Sequence, residues 1–137
     1  MAHQYSLAIR DAQANQIEST VGTSAKLYIR TGAAPANCAA ADSGSLIATL
    51  DLPSDWLTAA SSNGQVAKNG TWSGTASLAG TNDAGHFRIK DSGGTTCHIQ
   101  GTITATGGGG DLTLDSISIS QNQTVTVTSF TITRGNA

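Results

Sequence analysis

From Lys26 onward, apolar and polar residues alternate with a period of two, the signature of half-buried β-strands. Lys26-Leu27-Tyr28-Ile29-Arg30 places Leu27 and Ile29 on one face, and Leu46, Ala48, Leu50 and Leu52 alternate up to Pro53. Val66, Trp72, Ala76 and Leu78, set between glycines, predict one or two further short strands. His86-Phe87-Arg88-Ile89-Lys90 and Thr96-Cys97-His98-Ile99-Gln100 flank the turn cluster Asp91-Ser92-Gly93-Gly94, which predicts a hairpin. Thr102-Ile103-Thr104, Asp111 to Leu114 and Ile117 to Ile119 continue the pattern, with a flexible bend at Gly107 to Gly110. In the last strand the apolar positions change from odd to even between Val127 and Phe130. A one-residue slip turns side chains to the opposite face, so a bulge near Thr128-Ser129 is expected.

Ahead of the strands, residues 6–21 are the only helix candidate. Ser6 is its cap, Asp11 lies near its positive end, and Gly22 suits the left-handed position that stops it. Leu7, Ala14, Ile17 and Val21 form one apolar stripe, and Tyr5, Ile9 and Ala12 form another. One domain surface buries only one stripe comfortably, which leaves Tyr5, Ile9 and Ala12 for a neighbour. About seven to nine short strands after one helix predict a mainly β chain, an antiparallel β-sandwich of jelly-roll type. The whole of 1–137 reads as one domain, with 1–21 as an N-terminal arm or helix and 22–137 as the sandwich. Its expected core holds Leu27, Ile29, Leu50, Phe87, Ile89, Ile99, Leu112, Leu114, Ile117 and Ile132.

Composition narrows the partners. Only 12% of residues are charged and the net charge is −2, so the cations form no stripe that would bind nucleic acid. A weakly charged surface is poorly protected against association and suits a subunit of an assembly. No apolar run approaches the length of a membrane span, and the first residues carry no secretory leader, so synthesis in the cytosol is expected. Residues 32–44 are small and turn-prone, and a loop of that length usually carries contacts. Pro35, Asn37 and Asp42 are its candidate contact residues, since an alanine-rich loop lies against a partner at little entropic cost.

Reactive chemistry is sparse. His86 and His98 sit on two arms of one hairpin beside Cys97, but no C-x-x-C or H-x-x-x-H spacing defines a metal site. A half-buried cysteine beside surface histidines accounts for them better, and neither metal nor cofactor is expected. Cys38 and Cys97 either close a disulfide or stay as two thiols; the sequence leaves both open. The pairs Asp51 and Asp55, and Asp111 and Asp115, flank turns, where Asp serves backbone hydrogen bonds rather than hydrolysis. No nucleophile elbow or phosphate loop is present, so no catalytic residue is expected. Trp56, Trp72 and Tyr28 could stack on sugars if exposed, but in a chain only 4% aromatic they are better placed in the core.

The chain resembles a family of small virion structural proteins encoded by tailed bacteriophages and prophages. The resemblance rests on Ala8-Ile9-Arg10-Asp11-Ala12, Leu27 to Gly32 followed by Pro35-Ala36-Asn37, and Gly85-His86-Phe87-Arg88-Ile89 with Thr96 to Gly101. It closes with Gly110 to Leu114, Ser129 to Thr133 and Gly135-Asn136-Ala137. These are turn-and-strand patterns rather than catalytic signatures. The resemblance implies a virion component assembled in the host cytoplasm, most simply a capsid decoration (cement) protein. Its partners would then be the major capsid protein and copies of itself. A tail or head–tail connector component is the alternative, and a carbohydrate-binding sandwich module is a further one.

Overall fold

A computed structural model describes residues 3–60 and 63–135. Met1 and Ala2 of the arm, and Asn136 and Ala137 of the closing motif, lie outside the described residues. Among the described residues, one helix, α1 (Leu7–Val21), precedes ten strands. These are β1 (Lys26–Arg30), β2 (Leu46–Asp51), β3 (Gln65–Ala67), β4 (Ser73–Thr75) and β5 (Thr81–Asp83). There follow β6 (His86–Lys90), β7 (Cys97–Ala105), β8 (Leu112–Leu114), β9 (Ser118–Ser120) and β10 (Thr124–Thr133). The chain is mainly β with one N-terminal helix, as its periodicity predicts.

The main sheet runs β2-β1-β6-β7-β8-β10-β3, with β4 also paired to β10, while β5 and β9 form a separate ribbon. An antiparallel bridge from Ala48 to Ala76 brings the chain after β4 back to β2. The sheet therefore curls on itself around one core, a sandwich-like arrangement. Among the described residues its pairings are antiparallel except one, since β7 and β8 run parallel with Ile103 opposite Leu112. That departs from a purely antiparallel sandwich. Residues 106–111 double back between them, tied by Gly110 N–H to Thr104 Oγ1 at 3.0 Å and Thr102 N–H to Asp111 Oδ2 at 3.0 Å. The glycines from Gly107 to Gly110 make so tight a return possible.

Leu27, Ile29, Leu50, Phe87, Ile89, Leu112 and Leu114 are buried, and Ile99, Ile117 and Ile132 pack against them half-buried. Trp56, Trp72, Phe87 and Phe130 form a continuous aromatic chain, with ring centroids 5.4–5.9 Å apart. Trp56 donates to the Gly22 carbonyl and Trp72 to that of Asn69, so each buried indole N–H is satisfied. The expected bulge in β10 is present as a register shift between Val127 and Ser129. Thr113, whose hydroxyl bonds those of Thr128 and Ser129, fills the gap it opens.

Candidate functional site

Two regions hold the candidate contact residues, and they behave differently. The first is α1. Ser6 Oγ accepts from Ile9 N–H at 3.3 Å and caps the helix. Ala14 and Val21 are buried and Ile17 packs on the core, but the rest of the docking face is polar. Asp11 accepts from Gly64 N–H, Asn15 from Ala60 N–H and Glu18 from Trp56 N–H, at 2.7–2.8 Å. Arg10 donates to the Arg134 and Asn63 carbonyls. Gly64 has φ +66°, and a Cβ there would lie 2.6 Å from the Arg134 carbonyl oxygen, so the helix sits closely on a backbone crossing.

Arg10 is the first of these docking residues of α1. Nearer the N-terminus, Tyr5, Leu7 and Ile9 are 44%, 42% and 47% exposed, and they are the large hydrophobic side chains most open to solvent among the described residues. Ala12 is exposed as well. Leu7 therefore leaves the inward stripe expected for it, because the surface that receives the helix starts one turn later.

The second region is the segment 31–45 between β1 and β2, which folds back over the sheet. In β6, Phe87 and Ile89 face the core while His86, Arg88 and Lys90 face the segment. Arg88 is 1% exposed and His86 fully covered. His86 is thus not the surface histidine expected from the alternation; 31–45 covers it, and its Nδ1 lies 2.9 Å from the Gly32 carbonyl. Arg88 donates to the carbonyls of Asn37, Cys38 and Ala40 and to Asp42 Oδ1. Lys90 Nζ reaches Asp42 Oδ2 at 2.9 Å while lying 5.2 Å above the Tyr28 ring. Gln100 Nε2 donates to the Pro35 carbonyl at 2.7 Å. Asn37 Oδ1 caps the next turn by accepting from Ala39 and Ala40 N–H. Pro35, Asn37 and Asp42 are thus held from below, and only their outer faces are open to a partner.

Electrostatics follow this geometry. The Asp42 carboxyl is held below its ordinary value by the Lys90 hydrogen bond first and by Arg88 next, against the cost of burial. Burial raises the Glu18 carboxyl, with Asp55 adding to it and the Trp56 N–H opposing. His86 Nε2, Arg88 Nε and Gln100 Oε1 are buried on this one face without a hydrogen-bond partner among the described residues. Among the described residues, no three of His, Cys, Asp and Glu converge as metal ligands would.

Between α1 and the sheet runs an open groove of about 640 Å³. Ile17, Ile99, Ile132 and Phe130 line it, with Gln13, Gln16, His98 and Thr131 among its polar residues. Asp111 also lines it, but its Oδ2 accepts from the Thr102 N–H and hydroxyl. Asp51 pairs with Lys26 at 2.5 Å and Asp55 accepts from Asn69 Nδ2, so these carboxylates serve structural bonds. The groove offers packing and hydrogen bonding. Trp56 and Trp72 are both fully buried and present no ring to a sugar.

No family model, no curated protein and no solved structure matches the chain.

Proposed function

We propose that the chain is a non-enzymatic virion structural protein, a decoration subunit that binds the major capsid protein and copies of itself. The observation that supports this reading best is the exposed apolar end of α1. Leu7 and Ile9 are exposed in the first turn of a helix docked through Arg10 and Glu18, and Tyr5 is exposed just ahead of its Ser6 cap. Exposed apolar side chains grouped on a rigid element suit protein–protein contact. The low charge supports the same reading, as does the resemblance carried by the turn-and-strand patterns from Ala8 to Ala137.

Copy number per particle tests the reading. Quantitative mass spectrometry of purified virions should find hundreds of copies, as a shell-covering subunit requires. Six to a few dozen copies would move the protein to the tail or connector, and none would end the virion assignment.

A further inference from the structure

We infer that Cys38 and Cys97 are a disulfide-forming pair that, once oxidised, latches the segment 31–45 onto the sheet. Both cysteines are free thiols and only partly covered. Cys38 lies in the segment, its carbonyl held at 2.8 Å by Arg88 Nη2. Cys97 opens β7 opposite Lys90. The register shift beside Lys90 turns Cys97 to the same face as Gln100, three residues on. Gln100 and Lys90 are themselves tied to the segment, at Pro35 and Asp42. Arg88, which holds the Cys38 carbonyl, and Lys90, which Cys97 opposes, stand two residues apart on β6, so the two cysteines are neighbours across the contact between segment and sheet. Closing this contact to a bond of about 2.05 Å needs a movement that a surface segment can absorb.

The oxidant is a low-molecular-weight disulfide of the oxidised-glutathione class. The Cys38 thiolate attacks one of its sulfurs, forms a mixed disulfide and expels one small thiolate. Cys97 loses its proton, attacks the Cys38 sulfur and expels the second small thiolate. Two protein thiols become one disulfide while one small disulfide is reduced to two thiols, which take up the two protons. Burial, reinforced by Cys38, pushes the Cys97 thiol up to about 11, so the first attack belongs to Cys38.

The folded, full-length protein is treated with oxidised glutathione and followed by intact mass and peptide mapping. A loss of about 2 Da, a Cys38–Cys97 cross-linked peptide and a monomer on a non-reducing gel are expected. The melting temperature should rise by roughly 10 °C, since the bond closes a long loop. Cys97→Ser should stop at one glutathione adduct of about 305 Da on Cys38. Cys38→Ser should react far more slowly. Two independent adducts on the native protein, a disulfide-linked dimer, or an oxidised form with an unchanged melting temperature would each overturn the inference.

Discussion

Arg88, 1% exposed on β6, is paired with Asp42 at 2.5 Å, 46 residues earlier in the chain. The pair fastens a segment with no strand or helix of its own to the middle of the sheet. Removing one partner of a covered ion pair leaves the other charge without compensation. Asp42→Ala is expected to lower stability by about 2 kcal/mol, less than for a fully buried pair because Asp42 is partly exposed. Urea unfolding of both proteins at pH 7 measures this directly.

The same carboxylate sets an acid limit. Its folded pKa lies below the ordinary 3.8, so its contribution is complete above that value and disappears as pH falls through the folded one. Wild type should lose stability relative to Asp42→Asn as pH falls below the ordinary 3.8 toward the lower folded value. Two urea midpoints that fall in parallel over that range would remove Asp42 from the account.

Glu18 carries the opposite sign. Burial raises its carboxyl above the ordinary 4.5, so its charge opposes folding at neutral pH while its oxygen still satisfies the Trp56 N–H. Any stabilisation tied to its proton is present below 4.5 and is lost as pH rises through the folded value. Glu18→Gln keeps the acceptor and drops the charge, so it should melt at or slightly above wild type at pH 7. Glu18→Ala abandons the N–H and should cost about 1 kcal/mol. A melt in which Gln is as damaging as Ala would mean that the charge itself holds the helix.

Period-two alternation identified most strands, the β6–β7 hairpin and the β10 bulge, because each leaves its mark within about ten residues. Two features escaped it. His86 and Arg88 look like the solvent side of a strand until a segment some 46–54 residues away covers them, through bonds to Asp42 and Gly32. Arg10, Asp11, Asn15 and Glu18 look like the wet face of α1, yet they dock it, since what they meet is backbone N–H and C=O. Local pattern also carries no direction, which is why the parallel return of β8 was not legible. Of the candidate contacts, the exposure of Tyr5, Ile9 and Ala12 was legible from helical spacing. The inward hold on Pro35 and Asp42 was not, because it depends on which way the segment folds.

Gly101 tests how tightly β7 sits over the aromatic chain. A Cβ there would lie 2.9 Å from Phe87 Cε1 and 2.7 Å from Asp111 Oδ2. Phe87 is held edge-on to Phe130, and Asp111 by Thr102, so neither can yield freely. Gly101→Ala should destabilise by about 1–3 kcal/mol through overpacking. Thermal unfolding together with near-ultraviolet circular dichroism would detect it, and an unchanged melt would show slack at this crossing.

The exposed end of α1 separates an interface from a mere terminus. Leu7 and Ile9 are 42% and 47% exposed and precede Arg10, which ties the helix to the Arg134 carbonyl, so replacing them need not disturb the docked turns. A Leu7→Glu, Ile9→Lys double variant should keep its unfolding free energy in urea within about 0.5 kcal/mol of wild type. Its self-association, or its attachment to particles stripped of the protein, should fall at least tenfold, which sedimentation and particle pull-down can read. Ile17→Lys serves as the contrast, because Ile17 packs against the core and its replacement should cost stability first. If the double variant unfolds, those side chains stabilise the helix rather than meet a partner. If it folds and still attaches as wild type does, the apolar end of α1 is not the contact, and the outer face of residues 32–44 becomes the surface to test.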